Sequence, residues 1–255
     1  MKIGLSGKGG VGKTTIASLL ASVLARQGKT VLAVDADPAQ NLGQSLGFPS
    51  DLSETITPVA ELKELISERT GTNPRVPTGF FTANPKVDDI PEKYWAEHDG
   101  VRLLLVGTIQ AAGAGCACPE NTLLKNLMHH LIVERDETVI LDMEAGLEHL
   151  GRGTTAGLDA LLIVVEPGQK SLTLAGRIAK LAADLGIKKI WYVANQVASP
   201  EEKDAVLKAI PVDRLLGVIG YDAALRQSDL TGGSAYAAAS PATLQAIKDI
   251  TQKLE

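Results

Sequence analysis

The sequence has few cysteines, no long apolar run and no excess of basic residues, and each shortage excludes a class of protein. Only two of its 255 residues are cysteine, too few for a fold stabilised by disulfides. The longest clean apolar run, 160–165, is far shorter than the ~20 residues of a membrane-spanning helix. Acidic residues outnumber basic ones by 30 to 25, which argues against binding nucleic acid through bulk charge.

The remaining composition is that of an ordinary globular protein, 45% apolar and 22% charged. Its length suits one large α/β domain spanning 1–255. The first apolar segment follows Met1 and Lys2 directly, without the pattern of a signal peptide. We therefore expect a cytoplasmic protein with neither a nucleic-acid nor a membrane partner.

A glycine-rich stretch near the start, Gly7 to Thr14, fits the phosphate-binding pattern G-x-x-x-x-G-K-[ST]. It follows an apolar run typical of a strand and precedes 15–27, where apolar residues recur at helical spacing. A strand, loop and helix in this order place backbone N–H groups around phosphate oxygens. The predicted nucleotide contacts are Gly9, Gly10, Val11, Gly12, Lys13, Thr14 and Thr15. Lys13 is expected to reach the β- and γ-phosphates and the Thr14 hydroxyl to ligate Mg²⁺.

Polar residues follow several of the other predicted strands. Asp35 and Asp37 follow the strand 30–34, Asp142 ends 138–141, and Asn195 ends 189–194. Alternating strand and helix patterns predict an α/β fold with a doubly wound, mostly parallel sheet, in which such strand ends meet at the ligand. Asp142 is expected in the Mg²⁺ shell. No N-K-x-D guanine motif follows the strand that ends at Asn195, which favours ATP, and its product ADP, over GTP.

Two segments break the alternation of strand and helix. Residues of about 71–100 are rich in proline and predict an irregular surface excursion. A loop of about 107–120 contains Cys116 and Cys118. The two cysteines could be small packed residues or two ligands of a soft metal ion, and the residues alone leave both readings open.

A second lysine in the phosphate loop, Lys8, makes the stretch K-G-G-V-G-K-T. It resembles the deviant Walker A signature shared by MinD, ParA, the arsenite-pump ATPase and the nitrogenase iron protein. The resemblance implies that Lys8 reaches the partner's nucleotide across a homodimer interface. It also implies that Asp35 belongs to the Mg²⁺ shell, that Asp37 activates the attacking water, that the Gly146 amide senses the γ-phosphate, and that Asn195 contacts adenine.

Further motifs sharpen the resemblance: D-x-D-P at 35–38, N-P-K-V-D at 84–88, C-x-C ahead of E-N at 116–121, and D-M-x-A-G-x-E-H-L at 142–150. Together they resemble the CooC family, ATPases that assist nickel insertion into carbon monoxide dehydrogenase. The resemblance implies a nucleotide-dependent homodimer that binds Ni²⁺ or Zn²⁺ through Cys116, Cys118 and their symmetry mates. The implied client is apo carbon monoxide dehydrogenase or the related acetyl-CoA synthase. Gln196 and Gly220 depart from the family pattern, and we expect both to affect base contacts only.

Two other functions remain as alternatives. A positioning ATPase of the MinD or ParA kind needs a lipid-binding C-terminal helix or a basic DNA-binding face. The predicted helix over 241–254 has only a narrow apolar stripe, which is typical of a helix docked on its own domain. An iron-protein-like reductase with an intersubunit Fe–S cluster would have its cysteines on two separate loops, whereas here both lie in one loop.

Overall fold

A computed structural model describes residues 1–53, 56–72, 81–107, 118–144, 155 and 157–255. Its described strands are β1 Lys2–Gly7, β2 Val31–Ala36, β3 Ala96–His98, β4 Val101–Leu105, β5 Thr138–Met143, β6 Ala160–Val165, β7 Ile190–Val197 and β8 Leu215–Gly220. They form one sheet in the order β3-β4-β2-β5-β1-β6-β7-β8. Every neighbouring pair is parallel except β3 and β4, so the predicted doubly wound, mostly parallel sheet is confirmed.

Helices cover both faces of the sheet. The described α-helices are α1 Lys13–Arg26, α2 Leu42–Leu46, α3 Ser50–Ser53, α4 Lys63–Thr70, α5 Ile90–Tyr94, α6 Cys118–His129, α7 Gln169–Asp184, α8 Pro200–Ala209, α9 Ala223–Thr231, α10 Ala235–Ala238 and α11 Pro241–Leu254. A π-helical turn, His130–Glu134, extends α6. Helices α1, α2 and α11 pack on one face, while α4, α6 and α7 pack on the other.

Strand β2 illustrates why the central strands are apolar throughout. Leu32 and Val34 pack into the core on one face, and Val31 and Ala33 pack into the core on the other. A strand covered on both faces needs apolar side chains at consecutive positions, which is the pattern of parallel sheets. Because these strands are parallel, their carboxyl ends lie along one edge of the sheet, where the candidate site is found.

The C-terminal helix α11 is docked on its own domain, as its narrow apolar stripe predicted. Ile247 and Ile250 are fully buried, and α11 contacts β8 and α1. Its apolar side is therefore already covered. Among the described residues, no helix is both long and apolar enough to cross a membrane.

The segment predicted to be irregular contains regular structure in its described part. Helix α5 leads into the short edge strand β3, which turns at Asp99 and Gly100 to pair with β4. Arg69 of α4 fastens this segment, since its guanidinium lies 2.8 Å from an Asp89 carboxylate oxygen. Asn126 of α6 also donates a hydrogen bond to the Ala83 carbonyl at 3.2 Å. Residues 81–89 are thus tied to both α4 and α6.

We expect Gly217→Ala to destabilise the fold, because an added Cβ would lie 2.8 Å from Cγ1 of Ile250 in α11. Overpacking of this kind costs about 1–3 kcal/mol of unfolding free energy. Urea denaturation followed by circular dichroism measures the change.

The matched control is Gly176→Ala in α7, where an added Cβ meets nothing within 4 Å. It should raise the free energy of unfolding by up to about 1 kcal/mol, because glycine is a poor helix former. Equal urea midpoints for the two variants would contradict this account of the packing between β8 and α11.

Candidate nucleotide-binding site

The phosphate loop connects β1 to α1, and its shape requires glycine where it joins the helix. Gly12 precedes α1 with φ +90°, and an added Cβ would collide with the side-chain amide nitrogen of Asn195. At Gly9 and Gly10 an added Cβ would meet nothing, so their backbone faces open space. No described side chain caps the N-terminus of α1. Its first N–H groups therefore remain available to an anion.

A cavity of about 560 Å³ lies against this loop, within the size range of small-molecule sites. The loop and Asp37 line one part of it, and Tyr221 and Arg226 line another. Lys13 is 7% exposed and contributes to the wall. Tyr221 and Arg226 were not predicted to line the site, because no recognisable ligand-binding motif surrounds them in the sequence.

Two side chains at the end of β7 hydrogen-bond to the phosphate loop. The buried Asn195 donates from Nδ2 to the Val11 carbonyl at 2.8 Å, and Gln196 donates from Nε2 to the Gly10 carbonyl at 3.1 Å. The expectation that Gln196 affects base contacts only is wrong, because its amide is bonded to the phosphate loop. The bond to Val11 uses one of the two Asn195 N–H donors and orients the amide, whose oxygen remains an acceptor beside the cavity.

Asp35 and Asp142 are direct neighbours in the register of β2 and β5, and both are fully buried. The Asp35 carboxylate accepts hydrogen bonds from the backbone N–H groups of Asp37 at 3.1 Å and Leu42 at 3.0 Å. Burial, followed by repulsion from Asp142, raises the pKa of Asp35 to about 7 despite these bonds. Asp35 therefore orders the loop after β2 as well as bringing charge to the site.

Asp142 differs from Asp35, because neither of its carboxylate oxygens accepts a hydrogen bond of normal geometry from the described residues. Burial raises its pKa to about 6, and the Thr14 hydroxyl and the Lys13 ammonium only partly offset that rise. Two buried anionic oxygens without donors lack a compensating partner. Beside a threonine hydroxyl, this hard oxygen donor set suits Mg²⁺.

Asp37 lies at the cavity wall and is only partly buried. One of its carboxylate oxygens accepts a hydrogen bond from the Ala39 N–H at 2.9 Å. The described partners leave its second oxygen free to accept from a water or a ligand. Glu144, two residues after Asp142, also lines the cavity and was not predicted.

The signature lysine has a partner within its own chain. Lys8 Nζ lies 2.9 Å from Oε1 of Glu166, and the two side chains are 38% and 28% exposed. Glu166 was missed by the sequence analysis, although an acidic residue just after a buried strand is a signal that could have found it. The partly exposed pair contributes little to stability, at most about 1 kcal/mol.

Two of the predicted residues, Gly146 and Cys116, lie outside the described residues. Cys118 is the first residue of α6. Over the described ranges, no three His, Cys, Asp or Glu side chains come together as a group that could hold a metal ion. The predicted metal site, with its cysteines, stays a prediction.

We expect Asp142→Asn to stabilise the protein in EDTA without nucleotide. The pKa of Asp142 is raised from 3.8 to about 6, so the folded state holds this proton more tightly than the unfolded state. Ionisation above that pH therefore costs about 2 to 3 kcal/mol of stability, which the amide avoids. The gain should be complete above pH 6 and fade as the pH falls towards 4.

Thermal and urea unfolding across this pH range measure the effect. Asp229→Asn, at an exposed position of α9, is the control and should change stability little at any pH. A loss of stability in Asp142→Asn at pH 8 would contradict the account of a buried carboxylate without partners.

Solved structures with the same architecture are proteins of the MinD and ParA type. A ParA family ATPase from Chlorobium tepidum superposes with a TM-score of 0.69 at 21% identity, covering 100% of this chain and 98% of that one. The septum site-determining protein MinD of Pyrococcus horikoshii, complexed with Mg-ADP, gives a TM-score of 0.67 at 22% identity, with coverage of 99% and 95%. At such identities the likeness establishes the fold alone.

Relatives identified by sequence are more similar to this chain than these solved structures are. The carbon monoxide dehydrogenase accessory protein CooC of Rhodospirillum rubrum is 46% identical over 236 residues, 92% of this chain and 89% of that protein. An uncharacterized ATP-binding protein of Methanocaldococcus jannaschii is 43% identical over 235 residues, 91% of this chain and 90% of that protein. The profile of the CbiA family, described as the CobQ/CobB/MinD/ParA nucleotide binding domain, matches residues 3–235. The chain therefore belongs to the CobQ/CobB/MinD/ParA nucleotide-binding family and, within it, to the ATPases of the CooC family.

Proposed function

We propose that this ATPase works as a homodimer that assists nickel insertion into apo carbon monoxide dehydrogenase or the related acetyl-CoA synthase. The observation that carries the proposal is the likeness to the CooC accessory protein over nearly the whole chain. The C-x-C pair at Cys116 and Cys118 supports it, because thiolates are the ligands that soft and borderline metal ions prefer. Nickel is here the cargo of the protein.

Phosphate binding is proposed to rest on the loop of residues 9–15 and the N-terminus of α1. The uncapped N–H groups of α1 and the Lys13 ammonium offset the charge of the β- and γ-phosphates. Mg²⁺ is proposed to be held by the Thr14 hydroxyl and by Asp142, with Asp35 beside them, where it neutralises phosphate charge. The orphaned oxygens of Asp142 support this assignment.

Asp37 is proposed to orient the water that attacks the γ-phosphate. One oxygen is fixed by the Ala39 N–H, which orients the carboxylate, while the other is free to accept a hydrogen bond from water. Phosphoryl transfer depends chiefly on positioning and electrostatics, so a carboxylate held in this way is sufficient for the role. The Gly146 amide is proposed to contact the γ-phosphate.

The side chain of Asn195 supports adenine as the base. One N–H of its Nδ2 donates to the Val11 carbonyl and orients the amide, and Oδ1 can then accept a hydrogen bond from a ligand. An acceptor pairs with the exocyclic amine of adenine and repels the carbonyl oxygen that guanine has at the same position. ATP is therefore the proposed substrate.

Lys8 is proposed to cross the dimer interface and contact the partner's nucleotide. In the single chain it is paired with Glu166, so it has to leave this carboxylate before it can cross. Exchanging Glu166 for a phosphate costs little free energy, because a partly exposed ion pair contributes at most about 1 kcal/mol, whereas a phosphate contact is a charge-assisted hydrogen bond. Dimer formation would also bring the two C-x-C loops together and supply the four ligands that closed metal sites generally use.

We expect wild-type protein incubated with Ni²⁺ and desalted to retain about one nickel ion per dimer, since four thiolates from two copies form one site. A Cys116→Ala/Cys118→Ala double variant should lose this nickel, and the retained amount should change between apo, ADP and ATP states. Elemental analysis measures it.

Lys13→Ala serves as the control, because it should abolish the nucleotide dependence and leave the cysteines in place. Nickel retention that is indifferent to the cysteines would overturn the metallochaperone function. The ATPase assignment would survive that result.

We expect Glu166→Gln to strengthen nucleotide-dependent dimerisation by up to about 30-fold, because it removes from each of the two chains an ion pair of at most about 1 kcal/mol that Lys8 has to leave. Lys8→Gln should abolish the nucleotide dependence of the dimer. Sedimentation velocity with a non-hydrolysable ATP analogue measures both.

Asp99→Asn is the matched control, since Asp99 is the partner of Arg26 in another surface ion pair, with an N–O distance of 3.4 Å. It should leave dimerisation unchanged. An equal effect of Asp99→Asn and Glu166→Gln would argue against a specific role for the Lys8–Glu166 pair.

A further inference from the structure

One surface of the molecule carries charge that the nucleotide site does not use. Helix α7 exposes one set of side chains at helical spacing, here named the cationic face: Lys170, Thr173, Arg177, Lys180 and Leu181. The opposite side of α7 packs on the sheet through Ala175, Ile178 and Ala182. The cationic face is therefore a solvent-facing surface of a firmly docked helix.

The three cations of this face have no acidic partner within the described part of the chain. Lys170, Arg177 and Lys180 form no ion pair there. Other surface cations, such as Arg26 and Arg102, lie against carboxylates. Asp184, at the C-terminal end of α7, is the one acidic residue on this side of the helix, so the face keeps an excess of positive charge in a protein with five more acidic than basic residues.

The cationic face also borders a depression in the protein surface. Lys170, Thr173, Leu174 and Arg177 border a shallow depression of about 310 Å³, together with Gln169. Its lining therefore combines one apolar side chain, Leu174, with two cations. A depression of this kind takes a few side chains of a partner, with an apolar contact at the centre and charged contacts around it.

The charge of the cationic face indicates which kind of partner would bind there. Three cations are fewer than the 6–10 phosphate contacts of typical DNA-binding proteins and the 4–8 of polybasic membrane sites. Carboxylates suit them better, because the Arg177 fork can bind a carboxylate in bidentate fashion and lysine adds a point charge. Lys170 and Lys180 are ten residues apart, about 15 Å along the helix, which about five residues of extended chain would span.

We propose that the cationic face of α7 is the docking surface for an acidic segment of a protein partner. This inference goes beyond the proposed function and does not depend on nickel or on carbon monoxide dehydrogenase. The face begins at Lys170, shortly after Glu166 in the chain; the Glu166 N–H donates to the Ser171 hydroxyl at 3.1 Å, and its carboxylate is paired with Lys8. A docked partner would accordingly lie beside the signature lysine.

The test uses the full chain and a fluorescein-labelled 12-residue peptide with glutamate at alternate positions, measured by fluorescence anisotropy at 150 mM salt. We expect binding that the Lys170→Glu/Arg177→Glu double variant weakens at least tenfold. A peptide of the same sequence with glutamine in place of glutamate should also bind at least tenfold more weakly. Basal ATP hydrolysis should be unchanged, because neither residue lines the nucleotide cavity.

The matched control is Lys203→Glu/Lys208→Glu on α8, which makes the same change in net charge at two exposed lysines. It should weaken peptide binding less than threefold. Equal weakening by the two double variants would show a bulk charge effect and overturn the proposal. So would the absence of peptide binding, or α7-dependent binding of a DNA oligonucleotide or of phosphatidylserine vesicles in preference to the peptide.

Discussion

Two carboxylates buried side by side are the constraint on which the site depends. The register of β2 and β5 places Asp35 beside Asp142, and neither side chain reaches solvent. Burial raises the pKa values of both, and repulsion from Asp142 adds to the rise at Asp35. Such a pair is costly when ionised, and the proposed Mg²⁺ ion would relieve that cost. The phosphate loop follows β1, the neighbour of β5 in the sheet, so the loop and the two carboxylates lie side by side.

The phosphate loop is held from two directions. Helix α1 fixes its end, and the amides of Asn195 and Gln196 fix the carbonyl groups of Val11 and Gly10. A loop whose carbonyls are bonded outward has its N–H groups left for a ligand, which is preorganisation for an anion. The same hydrogen bond orients the Asn195 amide, so one contact serves the phosphate loop and, in the proposed function, the choice of base.

The parallel sheet, the phosphate loop and the buried Asp142 could be predicted because their signals are local: apolar runs, spaced glycines and an acid at a strand end. The contacts of Lys8 with Glu166 and of Asn195 with Val11 could not, because they join residues more than 150 positions apart. The role of Gln196 was predicted wrongly for the same reason. Strand β3 was missed because a three-residue edge strand has no alternation to detect. Short elements and long-range polar contacts depend on tertiary packing, and the periodicity of the sequence carries no information about it.

The hydrogen bond from Asn126 to Ala83 has a mechanical consequence. Helix α6 begins at Cys118 and is joined near its middle to the segment 81–89, which Arg69 in turn fastens to α4 through Asp89. A tilt of α6 would stretch this hydrogen bond, so the position of the helix is coupled to that of the segment. If the proposed metal site closes around Cys118, the movement would reach a segment that lies earlier in the chain than both cysteines.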